Sequence, residues 1–328
     1  MTLSRICVII VNYNAAELSI IAAQSVLSRS HGGHPVEVHL VDNASPDGGA
    51  RTIERAAQEH GWGDRVTLYM EDTNHGFGRG NNLVLEALAI RADPPDFVFL
   101  LNPDAQLENE AIAVLANFLD THPKAAVAGA RISKPGNVPV TAAFRFPSVP
   151  SEFSAALNFG PVTRMLASRQ VPLAPDLETT PVDWVAGAAV MARFDVLRKV
   201  GNFDPGFFLY YEEVELMHQI ARAGWQTWYV AEAHVLHAEG ASTQVKSGET
   251  KRRRKPAYWY ASWQYYFLKT HGRTYAIAAG LSWITGAALN HVIARLRGKQ
   301  PAAPLRFFGD FTAVAMRPLI GLKAIPYE

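Results

Sequence analysis

Ile6-Cys7-Val8-Ile9-Ile10-Val11-Asn12-Tyr13-Asn14 begins as an unbroken apolar run and ends on polar residues. A short run of this kind fits a strand buried on both faces, the type found at the centre of a parallel sheet. Outward from it the pattern alternates. Helical periodicity over 17–30 (Leu18, Ile21, Ala22, Val26) precedes a strand over 36–41, and Ser45-Pro46-Asp47 marks a helix start before 49–60. Strands over Val66–Met70, Phe97–Leu101 and 125–130 then alternate with helices over 81–91 and 110–122. Strands separated by helices predict an α/β fold, with a mostly parallel central sheet covered by helices on both faces. Eight prolines between 133 and 181 break the pattern, which predicts a loop-rich insert with short helices. Regular signals return as a strand over 184–192, helices over 193–200 and 212–223, and a strand over 227–230. Residues 240–256 are polar and basic and read as a mobile loop.

A chain of 328 residues, 48% hydrophobic and 19% charged, buries a large core, which excludes a disordered chain or a coiled coil. Its one cysteine, Cys7, excludes a disulfide framework and a Cys-based zinc site. The apolar run that opens the chain is too short for a secretory signal, so the expected compartment is the cytoplasm. Charge is unevenly divided: residues 1–245 hold 17 Lys/Arg against 27 Asp/Glu, and residues 246–328 hold 14 against 3. This predicts an acidic catalytic domain over 1–245, with 133–181 as its insert, and a basic, aromatic, helical extension over 246–328. No nucleic-acid-binding motif accompanies the basic charge, so nucleic acid is not an expected partner.

Ligands of open α/β sheets bind at the carboxyl ends of the strands. There the sequence places Asn12-Tyr13-Asn14, Asp42-Asn43-Ala44-Ser45 and Asn102-Pro103-Asp104. One such Asp is ordinarily a helix cap; three strand ends carrying Asn, Asp or both suit a nucleotide, with a carboxylate left over for a divalent cation. The turn after the first strand has no glycine, which excludes a dinucleotide-binding fingerprint, and no phosphate loop of the G-x-x-x-x-G-K-[ST] type exists. The glycines cluster later, in Gly76-Phe77-Gly78-Arg79-Gly80-Asn81-Asn82.

These motifs, in order, resemble those of inverting family 2 glycosyltransferases of GT-A fold, nearest to the rhamnosyltransferase-like branch. The resemblance continues through Trp184-Val185-Ala186-Gly187, Gly201-Asn202-Phe203-Asp204-Pro205-Gly206-Phe207-Phe208-Leu209-Tyr210-Tyr211-Glu212-Glu213-Val214-Glu215-Leu216 and His237-Ala238-Glu239-Gly240. It implies transfer of a sugar, with rhamnose as the candidate, from a nucleoside-diphosphate donor to a glycan or lipid-linked acceptor. It further implies a divalent metal, Mg²⁺ or Mn²⁺, held by Asp104 and His237. Asn102 would serve the ribose or a metal-bound water, and Asp42 would accept from the base. Tyr13, Asn14, Asn74, Gly78 and Asn82 would line the nucleotide pocket, and Trp184 and Gly187 would shape the acceptor site. The family usually carries Glu-Asp-Val-Asp-Leu where this chain has Glu212-Glu213-Val214-Glu215-Leu216, so the general base maps to Glu213, with Glu212 as its competitor. Each Asp→Glu change moves the carboxylate about one methylene, and misplacement on that scale can cost about a hundredfold in rate. The departure leaves a non-catalytic nucleotide-sugar-binding scaffold open as an alternative. A nucleotidyltransferase is a second, although it would want a basic, Gly-rich loop after the first strand.

In the extension, Lys251-Arg252-Arg253-Arg254-Lys255 precedes an aromatic stretch over 258–267, and residues 274–294 contain no Asp, Glu, Lys or Arg. That length reaches across a bilayer, but Asn290, His291 and the many alanines and glycines argue against a span; the basic residues beside Trp and Tyr fit a helix lying against an anionic membrane, with ordinary packing on the catalytic domain as the alternative. The expected setting is the cytoplasmic face of the membrane. The basic loop has a second expected use, as a lid over the donor diphosphate.

Overall fold

The structure is a computed structural model that describes residues 3–237 and 252–327. In chain order its strands are β1 (Ile6–Asn12), β2 (Val36–Asp42), β3 (Val66–Met70), β4 (Phe97–Leu101), β5 (Ala105–Leu107), β6 (Ala125–Lys134), β7 (Val138–Pro139), β8 (Ala143–Phe144), β9 (Thr180–Val182), β10 (Trp184–Val185), β11 (Ala189–Arg193) and β12 (Gln226–His237). The helices of the first two-thirds are α1 (Ala16–Leu27), α2 (Gly49–Glu59), α3 (Phe77–Ala89), α4 (Ala111–Thr121), α5 (Val149–Leu157), α6 (Gly160–Met165), α7 (Phe194–Val200) and α8 (Glu212–Arg222). Then follow α9 (Ala257–His271), α10 (Arg273–Leu296), α11 (Phe307–Phe311) and α12 (Arg317–Leu319). The predicted loop over 240–256 and its lid role fall largely on 238–251, outside the described residues.

The chain gathers into two compact units. The first holds Met1–Phe144, Leu173–Pro205 and Leu216–Gly248; the second holds Arg145–Pro172, Gly206–Glu215 and Glu249–Glu328.

The first unit is built on a ten-stranded sheet, β3-β2-β1-β4-β11-β6-β12-β5, with β7 on β6 and β9 on β12. Its strands β3, β2, β1 and β4 run parallel, as do β6 and β12. β11 enters antiparallel between β4 and β6, so the sheet is mixed although most strands share one direction. Every residue of β1 and β4 is buried, the outcome expected for strands covered on both faces. The predicted strand over 184–192 divides into β10, which pairs with β8, and β11. The one predicted over 227–230 extends to His237 because β12 pairs with β6 as far as Leu236 and with β5 over Val235, Leu236 and His237. Gly80 lets α3 lie directly on β1: a Cβ there would stand 2.8 Å from Val11 Cγ1.

The second unit is helical. Its core is aromatic: Tyr260, Trp263, Tyr266 and Phe267 on α9 are each 0% exposed, joined by Phe307 and Phe311. The aromatic stretch over 258–267 is therefore mostly interior; Trp263 meets Trp283 tilted and Phe311 edge-on, at ring distances of 5.5 and 4.8 Å. Gly286 lets α10 close on α5, since a Cβ would meet Phe153 O at 2.6 Å. Ser282 Oγ donates to Val149 O (3.0 Å) and Asn290 Nδ2 to Leu157 O (2.9 Å), which ties the two helices along their length.

Candidate active site

The carboxyl end of β1 lies where the sheet's connections diverge, with β2 on one side and β4 on the other. Ligands of open sheets bind at such a point. In the register, Asn12 faces Asp42 across the β1–β2 pair, so both motifs end on the same sheet edge. Asn12 Nδ2 donates to Asp42 Oδ1 (2.6 Å), Ser45 Oγ donates to the same oxygen (2.7 Å), and Ser45 N donates to Oδ2 (3.1 Å). Asn12 Oδ1 accepts from Ala15 N and Ser19 Oγ at the start of α1. Asp42 is 1% exposed, and its carboxylate closes this turn. Tyr13 is 41% exposed beside it, and Asn14 takes a left-handed backbone (φ 55°) with its N–H on Ser45 Oγ.

The glycine-rich loop is tied to the same edge by Asn43. Its Nδ2 donates to Asn74 Oδ1 (3.0 Å) and Gly76 O (3.2 Å), and its Oδ1 accepts from His75 N (3.0 Å). Gly78 is buried in the first turn of α3. Asn82 faces elsewhere: Nδ2 donates to Phe203 O (2.8 Å) and Oδ1 accepts from Phe203 N (3.1 Å), which clamps the 201–205 loop.

After β4 the chain turns tightly, with Ala105 N on Asn102 O, and β5 pairs antiparallel with β12 so that Ala105 faces His237. This register brings together two residues 133 apart in sequence. Asp104 Oδ1 and His237 Nε2 are 3.0 Å apart, with side-chain exposures of 2% and 15%. Asn102 Nδ2 lies 3.5 Å from the same nitrogen. A carboxylate and an imidazole converging at a sheet edge form a donor set that fits a divalent cation with coordination positions left for phosphate oxygens. Asn102 N is also fixed, donating to Ala188 O just past Gly187 (2.9 Å). Trp184 stacks on Phe144 at 4.0 Å, half-buried, and Gly187 is half-buried.

Glu212 and Glu213 belong to the second unit. Tyr210 and Tyr211 both hold left-handed backbone (φ 69° and 71°) immediately before them. Two consecutive non-glycine residues there impose a cost of order 1–3 kcal/mol each, of the kind that persists where neighbours fix the chain. Ser262 Oγ holds Leu209 O at 2.9 Å, and Tyr211 packs against Trp259 and Tyr266. Glu212 is 3% exposed; Oε2 of each glutamate is buried without a hydrogen-bond partner among the described residues. Burial pushes both carboxyls above the usual carboxylate range, and the neighbouring Glu213 raises Glu212 further. A carboxylate base raised toward neutrality suits removal of a hydroxyl proton. The third acidic residue has a structural use: Glu215 Oε1 sits 2.7 Å from Lys269 Nζ on α9, with Glu215's side chain 1% exposed.

The family model for Glycosyl transferase family 2 matches residues 7–166. The N-acetylglucosaminyl-diphospho-decaprenol L-rhamnosyltransferase of Mycobacterium tuberculosis (strain CDC 1551 / Oshkosh) is 32% identical over 218 residues, 64% of this chain and 68% of that protein. The chain belongs to glycosyltransferase family 2. Two solved structures share the GT-A-like fold of this glycosyltransferase. The mannosyltransferase PcManGT from Pyrobaculum calidifontis, solved with GDP-Man and Mn²⁺, has a TM-score of 0.55 at 19% identity, covering 98% of this chain and 83% of its own. GalNAc-T7, solved with UDP, GalNAc and Mn²⁺, has a TM-score of 0.52 at 14% identity over 72% of this chain, which spans 44% of that protein.

Three residues of this glycosyltransferase that hold the site together were not singled out from the sequence: Asn12, Asn43 and Ser45. Their signal was present, since each lies inside a strand-end motif. What the sequence could not carry is the direction in which each side chain points.

Proposed function

We propose that this glycosyltransferase moves a sugar, with rhamnose as the candidate, from a nucleoside-diphosphate donor to a lipid-diphosphate-linked glycan acceptor, with inversion, at the cytoplasmic face of the membrane. The observation that carries the reading is the convergence of Asp104 and His237, 3.0 Å apart, beside Asn102 at the sheet's divergence point. Asp104 and His237 would hold a divalent cation, Mg²⁺ or Mn²⁺, and when bound it would neutralise the charge that builds on the leaving diphosphate. The exposed ring of Tyr13 offers a surface for the base. Asn12, Asp42 and Ser45 fix the turn that presents it, and Asn43 and Asn74 fix the facing loop. Trp184 and Gly187 are assigned to the acceptor side. Glu213 is assigned as the base that takes the acceptor hydroxyl's proton, its affinity for protons kept high by burial. The lipid-linked acceptor follows the activity for which the mycobacterial relative is named, and the membrane setting is supported by the basic excess of 246–328.

The test is nucleoside diphosphate release from dTDP-, UDP- and GDP-sugars, with and without Mn²⁺ or Mg²⁺. Metal-dependent release from one donor is expected, and Asp104→Asn is expected to lower it by about a hundredfold or more. Release that ignores both metal and Asp104→Asn would sink the assignment. With acceptor present, Glu213→Gln is expected to abolish transfer while sparing donor binding.

A further inference from the structure

α10 has two unlike faces. One is bonded to α5, with Gly286, Ser282 and Asn290 at the contact. On the other, Leu281, Thr285, Ala288, Leu289, Val292 and Leu296 are all exposed. At 3.6 residues per turn these six fall within an arc of about 100°. The stripe carries no charge, and Leu281, Leu289, Val292 and Leu296 are 45–83% exposed. Among the described residues α10 is the one helix long and apolar enough to cross a bilayer. Because hydrogen bonds along its length commit the inner face to α5, an orientation flat on the surface satisfies the outer face without detaching the helix.

Beside the stripe is a cavity of about 430 Å³, lined by Arg252, His291, Pro304, Arg306, Phe308 and Asp310. His291 comes from α10 itself. Arg252 is fixed by donating to Ala303 O (2.8 Å) and Pro304 O (3.2 Å). Asp310 does not cancel the positive charge, because Arg254 already holds it through two hydrogen bonds of 2.7 and 2.8 Å. Arg306 is exposed and held in a left-handed backbone conformation (φ 57°), a conformation costly to a residue with a Cβ. Phe308 at the rim is 37% exposed and Leu305 is 45% exposed. A basic pocket with an apolar rim, next to an uncharged apolar helix face, matches the layering of a phospholipid leaflet: phosphate outside, acyl chain inside.

We propose that this surface of the second unit docks on an anionic phospholipid bilayer, with α10's outer stripe at the acyl boundary and a lipid phosphate in the Arg252–His291–Arg306 pocket. The proposal deepens the membrane setting given above and rests on it, but it does not need the sugar-transfer chemistry. The charge complementarity of the pocket selects the occupant; a protein partner gives no reason to set guanidinium groups beside a bare aliphatic stripe.

The full chain would be co-sedimented with vesicles of phosphatidylcholine alone and of phosphatidylcholine mixed equally with phosphatidylglycerol. Pelleting with the mixed vesicles only is expected. Arg306→Gly, which suits the left-handed backbone and so keeps the fold, should weaken binding about fivefold, and Arg306→Lys should largely retain it. Leu289→Glu combined with Val292→Glu should abolish it. Equal pelleting with neutral vesicles, unchanged affinity in Arg306→Gly, or no vesicle binding would each overturn the proposal. So would saturable binding of inorganic phosphate, lost in Arg306→Gly, in a protein that ignores vesicles, since the pocket would then serve a free anion. Nucleoside diphosphate release from a soluble donor, measured on the same proteins, should not change in Arg306→Gly. Vesicle binding without release by the wild type would defeat the catalytic reading alone, and release without vesicle binding would defeat this one alone.

Discussion

Glu152 shows how one side chain carries a pH dependence that composition conceals. Burial in the second unit pushes its carboxyl from the ordinary 4.5 up to about 7, against the opposing effect of Trp263 Nε1, which donates to Oε2 at 3.1 Å. The folded protein therefore keeps a proton that the unfolded chain has already lost. Stability falls as pH rises from 4.5 to 7, by up to about 3 kcal/mol, and levels off above that window. Glu152→Gln should flatten this part of the curve, measured as denaturation midpoints at pH 5 and pH 8; an unaltered slope would assign the dependence to Glu212 and Glu213. Asp42 and Asn82 illustrate a different point at the same scale. Both sit in motifs that resemble nucleotide contacts, yet Asp42 is occupied by Asn12 and Ser45, and Asn82 by the backbone of Phe203. In this structure each holds a turn through these contacts.

At the scale of elements, the start of α8 is secured by α9. Glu215 is buried and Lys269 supplies its positive partner. Removing one member of such a pair leaves a buried charge uncompensated, so Lys269→Met should destabilise by about 2–3 kcal/mol, measured by denaturant unfolding. Lys269→Met should also lower transfer rate more than donor affinity, because Glu212 and Glu213 lie on the same first turn. The α5–α10 contact gives an independent test. Gly286→Val forces a side chain onto the Phe153 carbonyl and should cost about 1–3 kcal/mol, whereas substitution at exposed Gly309, where no atom lies within 4 Å of a Cβ, should cost little. The insert helix α5, one of the short helices expected in the loop-rich insert, is one side of this contact because a capped start (Ser148 with Ser151) and small residues let α10 approach.

For the whole molecule, a metal and a donor bound as proposed would act on folding as well as on catalysis. A ligand that binds only the folded state stabilises it by about 2.7 kcal/mol at a hundredfold excess over Kd. Mn²⁺ with the correct nucleotide sugar should therefore raise the melting temperature, and chelation should reverse the rise and stop release; Asp104→Asn should show neither response. What the sequence by itself determined was the sheet and its functional edge. Apolar runs long enough for strands, each ended by Asn or Asp, are local signals, and their order places Asn12, Asp42 and Asn102 at carboxyl ends without reference to distant residues. The tertiary structure decided which of those groups remain available. The β5–β12 pairing joins Asp104 to His237 across 133 residues, and Arg145–Pro172 and Gly206–Glu215 cluster with the C-terminal helices rather than with the segments beside them in sequence. It also turned α9's aromatics inward and left the apolar surface to α10. The physical reason is the same throughout: periodicity is set by neighbours along the chain, while the direction of a side chain and the partner of a charge are set by contacts the chain makes only after it has folded.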